Sequence, residues 1–523
     1  MPFQSLSNDV LEVILLEVHK SSRQTLFSTL RTNKSLHDST KPLIYRDCVL
    51  NLSDSKLDET NGRITSWTET ETEVLGYIRW LTVVDDRPHY YHSTNREKIK
   101  DGSKYSSLTN LLSQLRGLVK FTFTLHEPMP VYLLDCLDSY QPAIELHIRN
   151  WTRKSISIPF GDPGELALAN SFLLRTIQAS VYDGDGEIDL QRAAFMRIVT
   201  LAPNLKSYNW SSHSTGGCVI RMMSPQQYQE QARLRKEFDV DRPVKKVLKA
   251  IHINHEVSSV NDQAGIVDLG KLERLGGVHI SRNVDERLKG VFSSLKALDL
   301  KVRTWRTDSE LDPKSFQGLL CSLPSLEELS ISDGLKYIDL KPLLSYHGPT
   351  LQTLHLHESE TTNLENPRRT LSLDDLRLIR DSCHRLYDLG IDISYIRADP
   401  QESEIYAVLS TFGNIYSLTL NYDLGIGLHS PPRREKNDQR DAIRHQINAL
   451  IDKQNTTAKL EAIWAEVTGP KLQEILVQVG KQDREMGKGY PASWVLYEQR
   501  MRTWYRLENG LVVASKSKGG LYC

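Results

Sequence analysis

The chain of 523 residues carries 65 Lys and Arg against 66 Asp and Glu, a formal net charge of −1. That balance excludes a whole-chain electrostatic partnership with nucleic acid or an anionic membrane, each of which needs a basic excess. With 39% apolar and 25% charged residues the chain can bury a core, and at roughly 150 residues per domain its length suggests about three or four domains unless it is repetitive.

Cys48, Cys136, Cys218, Cys321, Cys383 and Cys523 are scattered and form no CxxC pair, the pattern of reduced thiols in a cytoplasmic or nuclear protein. The opening MPFQSLSNDV has no basic n-region, so no signal peptide is expected. The apolar run VLEVILLEV is broken by Glu12 and Glu17, and no membrane span is expected. Cys523 is the last residue, the wrong place for a prenylation signal.

In chain order, Ser7 or Asn8 is a cap for a first helix, in which Val10, Leu11, Ile14, Leu15 and Val18 recur at helical spacing. Arg23 to Leu30 predicts a second short helix. Asn33 to Ser39 predicts a third, ending before Pro42. Residues 53–73 and 85–107 are polar and turn-rich, so 51–107 is expected to be a linker with surface insertions.

From about residue 108 one pattern recurs, a helical segment followed by a strand written Leu-x-x-Leu-x-Leu. The clearest copies are SLKALDL, SLEELSI, TLQTLHL, RLYDLGI and NIYSLTL, whose first apolar residues are Leu295, Leu326, Leu351, Leu386 and Ile415. They lie 31, 25, 35 and 29 residues apart. Period and pattern indicate leucine-rich repeats of irregular length, each burying its leucines only against its neighbours. Weaker copies start near residues 118, 143, 204, 248, 272 and 471, with helices predicted at 315–321, 373–382 and 404–411 between strong ones. Residues 430–442 are a charged loop, 443–467 a predicted helix, and the tail a strand pair turned at Asn509-Gly510.

The N-terminal segment resembles an F-box. Leu6 and Asp9 stand at its opening, followed by the helices LEVILLEV and LFSTLRTNKSLH and the exit KPLIYRD. Ser7 replaces the usual Pro, and Leu36 stands where an aromatic is common. The overall order resembles fungal F-box proteins with degenerate repeats. The expected fold is α/β: a three-helix F-box over 1–50, the linker over 51–107, a leucine-rich solenoid with a curved sheet and outer helices over 108–429, and a charged loop, helix and terminal cap over 430–523.

The resemblance implies a substrate receptor that binds the Skp adaptor of a cullin-RING ubiquitin ligase. Leu6, Val10, Ile14, Leu15, Leu26, Leu30, Pro42, Leu43 and Tyr45 would form the docking helices and exit, some of them holding the small core instead. A scaffold or regulatory repeat protein whose first helices merely cap the array is the alternative.

No chemistry-bearing motif competes. The loop YDGDGEIDL puts Val181 and Arg192 where an EF-hand needs carboxylates, and GIVDLGKL has Leu272 where a phosphate loop needs a hydroxyl. No GxSxG or HExxH occurs, so no catalytic residue, metal or cofactor is expected.

If the repeat leucines point inward, the alternating residues line the concave face. That row reads Asp299, Lys301, Ser330, Ser332, His355, His357, Asp392, Thr419 and Asn421, extended by His252, Asn254, His279 and Ser281. Asp299, Lys301, Ser330, His355, His357, Asp392 and Asn421 are the candidate contacts for an unidentified protein target. His355 and His357 lack a third metal ligand.

Overall fold

The leucine pattern becomes strand wherever it was read. In Glu328–Ser332, Leu329 and Ile331 are fully buried while Glu328, Ser330 and Ser332 stay partly exposed, the alternation of a strand covered on one face. Side-chain caps start the helices between strands. Asp312 accepts hydrogen bonds from the backbone N–H of Lys314 and Ser315, and Ser372 exchanges bonds with Asp375 in a capping box.

The computed structural model describes residues 8–21, 23–85, 102–153, 161–182, 190–213, 224–238, 245–256, 260, 263–280, 290–302, 311–358, 369–394, 400–423, 474–479, 501–508 and 511–516. The chain divides into two compact units, Met1–Ser212 with Ile220–Pro243, and His213–Val219 with Val244–Cys523.

The first unit opens with helices α1 (Asn8–Ser21), α2 (Arg23–Thr29) and α3 (Lys34–Arg46). It continues as β1 (Asp47–Asn51), α4 (Leu57–Glu69), β2 (Trp80–Val84), α5 (Ser106–Gln114), β3 (Lys120–Phe123), α6 (Val131–Tyr140) and β4 (Glu145–Ile148). Then come α7 (Pro163–Asn170), β5 (Leu174–Tyr182), α8 (Gln191–Leu201), β6 (Ser207–His213) and α9 (Pro225–Lys236). Strands β1 to β5 pair in parallel in chain order, and α4 to α8 pack each against the next.

The second unit runs β7 (Ala250–Glu256), β8 (Arg274–Ile280), β9 (Ala297–Val302), α10 (Pro313–Ser322), β10 (Glu328–Ser332), α11 (Leu340–His347), β11 (Thr353–His357), α12 (Leu373–Ser382) and β12 (Asp388–Ser394). It ends with α13 (Pro400–Ser410), β13 (Ser417–Asp423), β14 (Glu474–Val479), β15 (Met501–Glu508) and β16 (Leu511–Lys516). Strands β7 to β14 are parallel in chain order, and β15 and β16 are antiparallel. Each unit is thus α/β with a parallel sheet of sequential strands, an order compatible with a solenoid-like fold.

Neighbouring repeats are also joined by a buried polar group. His347 is fully buried at the end of α11, where its Nδ1 accepts from Leu326 N–H at 3.2 Å and its Nε2 donates to Leu320 O at 3.0 Å. Those two bonds fix a neutral tautomer, and burial lowers its pKa.

Three expectations need correction. The segment 51–107 is not merely linker: α4 buries Thr60, Ile64 and Trp67, and β2 buries Leu81 and Val83. The strand–helix series therefore begins at Asp47 instead of near 108, its first copies written without the leucine pattern. Helix α3 does not stop before Pro42 but carries it inside. A proline there costs about 3 kcal/mol, which burial of Leu43 and Ile44 in the helical core offsets. Strand β5 went unread because after Leu174 a register shift puts Ile177 and Ala179, not leucines, at the later buried positions.

The tail forms the expected antiparallel pair β15–β16. The expected helix over 443–467, the charged loop at 430–442 and most of the aspartate–glycine loop at 182–190 lie outside the described residues.

Candidate protein-binding surfaces

Helices α1, α2 and α3 pack on one another around Leu11, Leu15, Leu26, Leu43 and Ile44, with Leu16, Val18, Leu30, Leu36 and Tyr45 packed against that cluster. Of the residues expected to form the docking helices and exit or to hold the small core, Leu15, Leu26 and Leu43 are in the core, since α1 must turn one apolar stripe toward its neighbours.

Leu30 and Tyr45 are part-buried against the same core, Pro42 and Ile14 are part-exposed, and Leu6 lies outside the described residues. What remains outward is Val10 (46% exposed), Val13 (62%) and Phe27 (46%). Neither Val13 nor Phe27 was among the candidate docking residues. Val13 sits one turn from Val10, so the two are surface neighbours on α1.

The helices are braced to the first strand–helix repeat. Residue 46 ends α3 and residue 47 begins β1 with no linker between them. His19 Nε2 pairs with Asp47 at 2.9 Å, Lys41 Nζ with Glu73 at 2.8 Å, and the Tyr45 and Trp67 rings meet edge-on at 6.2 Å. The Arg46 guanidinium lies 5.4 Å over the Trp80 ring.

The second surface is the outward strand face of the second unit. In-register partners run Asp299–Ser330–His355–Gly390–Thr419 across β9 to β13. Each histidine of β11 meets its own aspartate on β12. His357 Nδ1 is hydrogen-bonded to Asp392 at 2.8 Å, while His355 Nε2 lies 3.1 Å from Asp388 without hydrogen-bond geometry.

Glycines make room for the rings. A Cβ on Gly390 would come within 2.8 Å of the His355 ring, and one on Gly276 or Gly277 within 2.6 Å of His252. Gly277 has φ +68°, a conformation that suits glycine, and its N–H donates to Asp299 at 3.3 Å. Burial lowers the His252 pKa, opposed by the nearby Asp299 charge.

Of the candidate target contacts, Asp299, Ser330, His355 and His357 lie on this face, part-exposed. Lys301 is there too, its Nζ 3.9 Å from Asp333. Asp392 and Asn421 are not surface contacts as expected. Asp392 is fully buried, held by His357 and by the Glu358 N–H, and Asn421 is 7% exposed, its Nδ2 donating to Ile391 O at 3.4 Å.

His279, part of the extended row, is also buried, although its register partner is Lys301 of the outward row. Ser281 lies outside the described residues.

The sequence reading missed Glu328 and Asp388, which share the face. It took only positions between and after the leucines, although a period of two also places the residue before the first leucine outward. Arg274 reaches from β8 to Glu328 with two bonds of 2.8 and 2.6 Å across the intervening Ala297.

The near-motif at 265–272 serves the core: Val267, Leu269 and Leu272 are buried and Asp268 caps Gly270 N–H at 3.1 Å. Among the described residues, no three His, Cys, Asp or Glu side chains are placed to hold a metal ion, and no helix is long and apolar enough to cross a membrane.

Compared with protein-family models and with curated protein sequences, the chain matches none.

Proposed function

We propose that this protein is the substrate-recognition subunit of a Skp-cullin-F-box ubiquitin ligase. The N-terminal helices bind the Skp adaptor, and the sequential strand–helix units, which we read as leucine-rich repeats, bind the protein to be ubiquitinated. The reading makes the protein a cytoplasmic or nuclear adaptor that works through protein contacts without catalytic groups of its own.

The observation that carries the reading is the division of apolar residues in α1, α2 and α3. Five residues close the core, while Val10, Val13 and Phe27 face outward beside the F-box-like sequence of residues 6–46. Exposed apolar side chains on a small helical unit favour a protein partner.

Co-expression of the full chain with the adaptor tests it. The triple variant Val10→Asp, Val13→Asp, Phe27→Ser is expected to lose at least about tenfold in adaptor binding with its thermal melt unchanged. Full binding by that folded variant sinks the proposal. Deleting residues 1–48 is a poorer test, because the cut removes Asp47 and Cys48 from β1 and uncovers Trp67 and Trp80.

One observation favours the second reading, in which the helices only cap the array. The four contacts that brace α1 and α3 to the first repeat are what a terminal cap requires. Adaptor binding decides between a cap alone and a cap that also docks the adaptor.

A further inference from the structure

Arg46, Arg79 and Lys120 stand at the starts of β1, β2 and β3, where Arg79 N–H donates to Arg46 O at 3.0 Å and Lys120 N–H to Arg79 O at 3.1 Å. Cations around them are paired: Lys41 holds Glu73, and Lys206 and Arg175 hold Glu145. Among the described residues, Arg46, Arg79 and Lys120 hold no carboxylate. The in-register row there reads Asp47–Trp80–Lys120–Glu145, and its two end carboxylates are engaged by His19 and by Lys206 with Arg175.

A second observation is independent of charge: uncharged groups seat both guanidiniums. Arg46 lies over the ring of Trp80, which is itself 43% exposed. Arg79 lies against the bare backbone of Gly117, where a Cβ would overlap its Nη1 and come within 2.6 Å of its Cζ. A ring face and a glycine seat orient a guanidinium without using its charge, so its outer N–H groups stay available to an anion.

We propose that this edge of the first unit binds an Asp- and Glu-rich segment of a partner protein, at a site separate from Val10, Val13 and Phe27 and independent of what those residues bind. Planar carboxylates match the arginine forks two bonds at a time, and Lys120 adds a third cationic donor. A nucleic acid fits poorly. Its phosphate backbone needs a continuous basic stripe, and here Asp47 and Glu145 close the row at both ends. The Trp80 face that could stack a base already carries Arg46.

The probe is a labelled 12-residue peptide of alternating Glu and Gly, compared with its Lys counterpart and with a 12-nucleotide single-stranded oligothymidylate, read by fluorescence anisotropy on the full chain. The acidic peptide binds and weakens with salt, the basic one does not bind, and the oligonucleotide binds at least about tenfold more weakly. Arg46→Gln with Arg79→Gln weakens acidic-peptide binding about tenfold, whereas the same charge change on α9, Arg235→Gln with Lys236→Gln, leaves it within about twofold.

Because Arg46 also braces Trp80, a lost effect could reflect misfolding, and Gly117→Ala supplies the second test. It keeps every charge and pushes the Arg79 guanidinium off its seat, so binding weakens about three- to fivefold with an unchanged thermal melt. Equal losses from the two double variants, full binding by Gly117→Ala, or a preference for the basic peptide or the oligonucleotide overturns the proposal. The folded variant Val10→Asp, Val13→Asp, Phe27→Ser is measured alongside. Retained acidic-peptide binding by it supports a separate site whether or not the adaptor binds the chain, and lost peptide binding overturns that separateness.

Discussion

The two units share a buried face and differ on the outward one. In the first, the in-register row Thr82–Thr122–His147–Thr176 carries hydroxyls and one imidazole, and nearby Glu145 is engaged by Lys206 at 2.7 Å and Arg175 at 3.8 Å. In the second, the matching row and its neighbours carry carboxylates and histidines paired strand to strand. Where the leucine phase dictates, the units are interchangeable. At the alternating positions the chain is free to differ, and there the in-register row carries the carboxylate of Asp299 in the second unit and hydroxyls in the first.

The sharpest way to break that contrast is to show that the interiors differ. Phe123→Ala in the first unit and Leu356→Ala in the second each delete a fully buried side chain. Both are expected to cost about 3 to 5 kcal/mol in urea unfolding. A cost below 1 kcal/mol for either would mean that unit lacks a packed core.

A smaller effect sharpens the outward difference. His357→Ala strips the fully buried Asp392 of a hydrogen-bonded partner, at a cost of about 3 kcal/mol. His357→Asn, which can still donate to the carboxylate, recovers part of it. Equal stability of the two variants would show that the His357–Asp392 bond contributes nothing.

The third effect is pH-dependent and belongs to the first unit. Burial pushes His147 down to about 4, with the Lys120 charge adding to the fall. The unfolded chain, titrating near the ordinary value of about 6.5, takes the proton first as pH falls. The neutral-histidine contribution is therefore complete above about pH 6.5 and is lost between there and about pH 4, an amount on the order of 2 kcal/mol. His147→Gln should flatten that part of the stability profile, and an unchanged slope would refute the assignment.

The sequence was a good guide where one residue type repeats at fixed intervals. Leu298, Leu329, Leu354, Leu389 and Leu418 announce their strands because each must fill the same place in its repeat. In β1 and β2 Cys48 and Val83 fill two of the equivalent strand positions beside Leu50 and Leu81, and the polar stretch around Ile64 and Trp67 hid a helix that buries few side chains. In the N-terminal helices, spacing marked the apolar residues but could not divide core from surface. Leu15 and Val13 differ only in where α2 and α3 lie against α1. Likewise Asp392 read as a contact because alternation predicts direction, whereas its burial depends on His357 and Glu358 closing over it.

The passage from α3 into β1 sets a mechanical condition. Arg46 O accepts from Arg79 N–H at 3.0 Å, so the last helical residue is already bonded to the chain entering the second strand. With no free residue between helix and sheet, there is no place for a swivel. A partner gripping α1 and α2 holds the first repeat as a handle holds its blade, and any change of angle between them requires breaking the His19–Asp47 and Lys41–Glu73 pairs and lifting Tyr45 from Trp67.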